Sequence, residues 1–473
     1  MLDLLIRGGT VVTPGGAGQW EVGVQGERIV AVAAPGVLPQ EAERIIDATG
    51  KVVIPGGIEP HAHIALPIPA APDMTSSGPT EVSAAALFGG TTTIVDFAYQ
   101  SPQGDLLQAI EARNRLWEGK SYADYSYHCL PTSALSARDM EQVGEIVAAG
   151  FPSFKIFTTS VRPPTGPHTN MVDFGRLATL MERVTAHGGI MVIHAEDDDM
   201  VQYNYRMAPE LGRQEWHNMH LIHTNLSEDM SFRRVIRLAE RQGAGLYMVH
   251  VSAKEGVDAI TEARRRGLPV YGETLHSYAT FTFENYRQPD GMKYHTYPSL
   301  KGQEDTQRLW DGLLHGDLST IATDHVSTSY AVKVMGKTVV DTTGGHNGIE
   351  TRVGIMYTEG VVKRAMSLER FVALTATNPA KLLGFYPRKG VIAPGSDADV
   401  VIIDPSVRKR LSMTDLHLED YSIWEGWPVE GWPVLTVLRG RVVVEDGKML
   451  GQAGYGKLVR RQVDASVLAR PLC

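Results

Sequence analysis

The runs IMVIHAE (190–196) and LYMVHVS (246–252) decide the fold, because each is apolar at successive positions and carries a histidine at its end. A strand apolar on both faces is what a parallel sheet needs when helices cover it from either side. Six more runs of this kind lie outward from the pair: VVIPGGIEPHAH (52–63), TTTIVDFA (91–98), ADYSYHCL (123–130), SFKIFTT (153–159), PVYGETL (269–275) and LSTIATDH (318–325). Between them, apolar residues recur at three and four, the period of an amphipathic helix. Examples are Met140, Val143 and Val147; Phe174, Leu177, Met181 and Val184; and Val257, Ile260 and Ala263. Gly90, Gly119, Gly150, Gly188, Gly243 and Gly267 fall where such helices must stop before the next strand. Strand and helix alternating eight times predict an α/β fold, a (β/α)8 TIM barrel over 58–387.

The ends follow a different rhythm. Residues 1–57 and 388–460 carry short alternating strands joined by Gly-rich turns, which predict one small β-sandwich built from both termini. Residues 461–473 are left as a C-terminal tail. The longest interruption, 197–228, is polar and aromatic and follows the fifth strand, where it would supply a pocket wall or a subunit contact.

Composition narrows the function. The 473 residues hold 45 Lys+Arg against 54 Asp+Glu, a net charge of −9 without long single-sign blocks, so no basic footprint for nucleic acid is expected. Cys129 and Cys473 are too few for a disulfide framework, which suits a reducing, cytoplasmic setting. No apolar run reaches the roughly 18 residues of a membrane span. A small-molecule substrate is the remaining partner.

In a barrel, catalytic groups sit at the carboxyl ends of strands. Those ends carry His61, His63, Lys155, His194, His250 and Asp324. His61 and His63 are two apart on extended chain, so their side chains leave one face and can reach one ion. Imidazoles with a carboxylate suit zinc, and also manganese, iron or cobalt. A lone histidine at a strand end is more often a satisfied polar residue, and it is the joint arrangement that favours a metal site. Lys155 is a cation set among prospective cations. Desolvation would lower its pKa, and a neutral amine reacts with carbon dioxide to give a carbamate whose two oxygens can bridge two metals. An ion pair with Asp324 is the alternative.

PGGIEPHAH (55–63), SFKIF (153–157), IHAE (193–196), VHVS (249–252), TDH (323–325), GIETR (348–352) and NPAKLLGFYPRKGVIAPGSDADVVIID (378–404) together resemble the amidohydrolase superfamily, in its dihydropyrimidinase and hydantoinase branch of cyclic amidases. The resemblance runs in order over nearly the whole chain. It implies a binuclear centre, most simply of zinc, in which His61, His63 and Asp324 hold one ion and His194 and His250 the other. Carboxylated Lys155 and a hydroxide would bridge them, with Asp324 as general base and then acid in opening a cyclic amide or imide. It also implies a homo-oligomer, a tetramer or dimer.

The chain departs from that family at four places. Glu59 stands where aspartate is usual and would orient a histidine of the pair. Ser160 stands five residues after Lys155, where the family places a tyrosine that holds the substrate carbonyl, and serine is too short to reach as far. Tyr297 begins a Tyr-Pro-Ser-Leu-Lys segment in place of Ser-Pro-Pro-Leu-Arg, and Gly344 replaces an asparagine. Ser160, Tyr297 and Gly344 are the expected substrate contacts. These changes keep open another cyclic imide, a lactam or a linear N-acyl substrate. A non-catalytic scaffold is disfavoured, since all six ligand positions are filled. His217, His220 and His223, spaced by three with no carboxylate in view, are expected on a surface or interface. His325 is expected to be structural, and the tryptophans of WEGWPVEGW (424–432) to lie in sandwich or interface core.

Overall fold

A computed structural model describes residues 1–68, 71–418 and 420–472, so the expectation for Cys473 lies outside the described residues. Eight parallel strands form one sheet: β1 (Gly57–Glu59), β2 (Thr91–Tyr99), β3 (Asp124–Leu130), β4 (Ser153–Phe157), β5 (Ile190–His194), β6 (Leu246–Met248), β7 (Val270–Leu275) and β8 (Thr320–Ala322). They pair in sequence order, and the barrel closes just beyond β1 and β8. There the His63 N–H donates to the His325 carbonyl at 2.8 Å and the His325 N–H to that of His61 at 3.3 Å. Each strand predicted from the sequence is present; most are trimmed where apolar character outlasts sheet pairing, while β2 runs one residue further, to Tyr99.

Helices Leu106–Trp117, Ala137–Ala148, Phe174–Ala186, Asn225–Gln242 and Lys254–Arg265 occupy crossovers between the strands. The six helix-stop glycines all adopt left-handed backbone, φ running from 66° at Gly243 to 96° at Gly150. That conformation turns the chain back toward the sheet at little steric cost only without a Cβ.

Strand Val52–Pro55 pairs antiparallel with Val400–Arg410, Val53 opposite Ile402. The two chain ends therefore share one sheet, faced by a four-stranded sheet of Leu2–Arg7, Glu21–Gln25, Arg28–Ala33 and Ala42–Asp47. Leu4, Ile6, Val22, Val53, Val400 and Val437 pack between them as a separate core. The chain after residue 457 does not project as a free tail. Val459, Val463 and Val467 join Ile58, Val95, Val192, Tyr247 and Tyr271 in one buried cluster, and the Tyr271 hydroxyl donates to the Val467 carbonyl at 2.7 Å. No helix among the described residues is long and apolar enough to cross a membrane.

Candidate metal centre and active site

All six residues singled out as ligands converge at the carboxyl end of the barrel. His61, His63 and Asp324 approach most closely: Asp324 Oδ1 lies 3.2 Å from His61 Nε2 and 3.0 Å from His63 Nε2. Across the mouth, the His194 and His250 rings sit 4.4 Å apart by centroid, and His61 and His250 5.3 Å. Lys155 lies between the groups with Nζ 3.4 Å from His250 Nε2, and it makes no ion pair among the described residues. His250 and Asp324 adopt φ of 40° and 48°. Non-glycine residues in left-handed backbone are uncommon, and here the strain falls on two residues of the cluster.

Three of the four histidines are held by one ring nitrogen. His61 Nδ1 meets Glu273 Oε1 at 2.7 Å, His194 Nε2 meets Glu196 Oε2 at 2.8 Å, and His63 Nδ1 bonds the Tyr99 hydroxyl. Such contacts fix tautomer and ring orientation in metal sites. They also supply the fit test for a cation. With its proton on Nδ1, His61 turns a buried Nε2 lone pair, without a hydrogen-bond partner, toward the Asp324 carboxylate. Two acceptors facing each other repel, and a divalent ion between them converts the repulsion into coordination.

The electrostatics agree. Burial lowers the pKa of His61 and His250 well below the ordinary value, and lowers that of His194, so these imidazoles are in the neutral, metal-binding form. Burial also pushes Lys155 down to about 7, against the pull of Asp324 and Glu273. Beneath the site, burial pushes Glu59 up to about 7 and Glu273 up to about 8, which added positive charge would reverse.

Glu59 acts differently from the expectation. Its Oε1 accepts from the main-chain N–H groups of His61 and Thr323, at 3.0 and 3.1 Å, and Oε2 faces Arg352 Nε at 3.2 Å. It therefore ties the backbone of β1 to that of β8, and the carboxyl group on the His61 ring is Glu273, which the sequence reading missed. The GIETR arginine is this buried Arg352. The expectation for the insertion histidines is also corrected for His223. It is fully buried, with Nδ1 2.9 Å from Glu196 Oε1 and Nε2 3.0 Å from the Tyr205 hydroxyl. The insertion thus carries this histidine into the interior, where Glu196 joins it to His194. Burial works against the Glu196 carboxylate, yet His223 and His194 hold it below the usual range. His325 meets its expectation as a structural residue, with Nδ1 accepting from the Gly348 N–H. Trp424 is buried against His276 at the barrel mouth, in the barrel core and not that of the sandwich.

A cavity of about 410 Å³ opens over the cluster, with His63, His194, His250 and Asp324 on its wall. Tyr297 and Gly344 also line it, and Thr296 Oγ1 lies 3.5 Å from Asp324 Oδ2. Ser160 does not line it. Asp198 Oδ1 accepts its N–H at 2.9 Å and Gln202 Nε2 donates to its carbonyl at 2.6 Å, while the next two residues, Val161 and Arg162, form the wall.

Comparison with known proteins agrees with this geometry. The amidohydrolase family model matches residues 52–443. D-hydantoinases of Streptomyces coelicolor and Geobacillus stearothermophilus are each 34% identical, over 97% and 98% of this chain and the same shares of theirs. The crystal structure of dihydropyrimidinase from Brevibacillus agri superposes with a TM-score of 0.92 at 34% identity, covering 97% of this chain and 98% of that one. The chain belongs to the amidohydrolase family, in its hydantoinase-like branch.

Proposed function

We propose that the protein hydrolyses the amide bond of a cyclic amide or imide of the hydantoin or dihydropyrimidine type. The observation that carries this reading is the convergence of four histidines, three of them turned by a partner on one ring nitrogen, with Asp324 at the wall of a cavity of small-molecule size. His61, His63 and Asp324 would hold one divalent ion, His194 and His250 a second, with Lys155, carboxylated on Nζ, between them. Imidazole and carboxylate donors favour zinc, with manganese, iron or cobalt as substitutes. The metal pair, when bound, lowers the pKa of water and polarises a carbonyl.

The chain's own residues supply the rest. Asp324 accepts the proton of the attacking water as oxygen adds to the ring carbonyl carbon. It then delivers that proton to the ring nitrogen as the C–N bond breaks, leaving an open-chain carboxylate. Thr296 holds the second carboxylate oxygen. Tyr297 and the main chain at Gly344 position the ring, and Glu273, Glu196 and Tyr99 keep the imidazoles aimed. Catalysis is assigned to the 58–387 barrel, with the sandwich as its support. Tyr203, Leu211 and Leu226 of the insertion, each more than half exposed, support the reading of a homo-oligomer. The low cysteine content supports a cytoplasmic setting.

The test is a ring-opening assay of the metal-loaded protein over hydantoins, dihydropyrimidines, cyclic imides and lactams, with His61→Ala as control. Opening of hydantoin or dihydropyrimidine rings, abolished in the variant, supports the reading. Turnover of linear amides with no ring opened rejects it.

A further inference from the structure

Two cations stand on the cavity wall, and they differ in one respect. Arg113 is already engaged: its Nη1 lies 3.3 Å from Asp96 Oδ2 and donates to the Ile64 carbonyl at 2.8 Å. Arg162 has neither a hydrogen bond nor an ion pair among the described residues, although it lines the same cavity. Its field reaches the phenols of Tyr205 and Tyr297 and the ring of His295, on all of which it acts as a nearby positive charge.

The position of Arg162 is built. Asp198 and Gln202 hold both main-chain groups of Ser160, and the Tyr205 hydroxyl donates to the Val161 carbonyl at 2.8 Å. All three holding residues lie on the Asp198–Met207 helix of the insertion. Pro163 and Pro164 stiffen the chain on the other side. A guanidinium on a cavity wall whose supporting backbone is held in this way, with no ion pair to a carboxylate among the described residues, is a ready binder of an anion, and its planar fork suits a carboxylate in particular. Leu66, Ile68, Val161 and Val326 give the same cavity an apolar wall for the body of a ring substituent, and Asn170 and Thr343 are neutral polar groups on it that leave the charge of Arg162 uncompensated.

We infer that Arg162 selects ring substrates whose exocyclic substituent ends in a carboxylate. The inference rests on the ring-opening activity proposed above and narrows it to acidic substrates. The amidase step needs no such charge, so Arg162 is a specificity determinant and not a catalytic residue.

The experiment compares kcat/KM of the metal-loaded enzyme for a hydantoin bearing a carboxymethyl or carboxyethyl group with that for the isosteric carbamoyl compound, in wild type, Arg162→Gln and Arg162→Glu. Wild type is expected to favour the acid by tenfold or more, through KM, with the preference shrinking as salt is raised. Arg162→Gln brings the ratio close to one, and Arg162→Glu inverts it and favours an aminoalkyl substituent. A ratio near one in wild type, or an unchanged ratio in Arg162→Gln, overturns the inference while leaving the ring-opening reading intact. Absence of turnover on every ring, charged or neutral, overturns both. Equilibrium binding of the open-chain dicarboxylate product gives a second readout, expected to weaken in Arg162→Gln and to contradict the inference if it does not.

Discussion

Among single residues, the pair Tyr297 and Gly344 explains how a pocket changes without collapsing. The hydantoinase branch carries serine and asparagine at these places, and here the larger ring faces the smaller residue. A Cβ built on Gly344 would stand 2.3 Å from Tyr297 Cδ2, so the tyrosine ring fills the room an asparagine side chain would need. Overpacking of this kind costs about 1–3 kcal/mol when the neighbours cannot yield. Gly344→Asn is therefore expected to lower kcat/KM by about tenfold or more, and Tyr297→Ser in the same chain to restore most of the loss. Full activity in Gly344→Asn, or a double variant as poor as the two losses combined, would show that the residues do not share one space. Neither substitution was hard to find in the sequence. Their coupling was invisible there, because contact between residues 297 and 344 depends on two loops meeting in space.

At the scale of elements, the strands and helices were legible because burial on both faces and the 3.6 period leave plain marks. The six helix-stop glycines marked their ends. What periodicity could not supply were partners across the barrel. Glu273 on β7 meets His61 after β1, and Glu196 after β5 meets His223 from the insertion. Glu228 is another such partner. Helix Lys254–Arg265 has Ala253 at its N-cap with no side-chain cap of its own. Glu228 Oε1 instead accepts the N–H groups of Ser252 and Ala253, both at 3.0 Å, and its other oxygen takes the Ser252 hydroxyl.

Burial pushes the Glu228 carboxyl up to about 7 from an ordinary 4.5. Because the folded value is raised, the unfolded chain loses this proton first as pH rises. Stability is thus fullest below about 4.5 and falls until about 7. Glu228→Gln keeps an acceptor for the two N–H groups and a donor for the hydroxyl, but does not titrate. Denaturation midpoints should therefore move in the variant's favour between pH 4.5 and 7.5, by at most about 3 kcal/mol. A difference between the two proteins that stays flat with pH would contradict the assignment.

For the whole molecule, the sequence disclosed two structural units but not the lock between them. Asp124 at the start of β3 and Asp397 and Asp399 before strand Val400–Arg410 bring three buried carboxylates close enough for a cation. The cation is Lys389, whose Nζ lies 2.7 Å from Asp124, 2.6 Å from Asp399 and 3.2 Å from Asp397. Arg439 adds a second charge at 3.2 Å from Asp124. Barrel and sandwich are joined here by ions out of water, whose loss on one side leaves uncompensated charge. Lys389→Met should destabilise the protein by about 3–5 kcal/mol in thermal or urea unfolding. A loss below about 1 kcal/mol would mean that the carboxylates are neutralised in another way.

The active site stands on the other side of this division, at the barrel mouth, and its dependence on metal is the claim on which the rest hangs. Stripping the protein with a chelator, adding back zinc in measured equivalents and following hydantoin or dihydrouracil ring opening at each addition tests it most directly. Turnover should be absent without metal and rise to a plateau at two ions per chain. Ring opening that is indifferent to metal, or a plateau reached with no ion bound at the histidines, would contradict it.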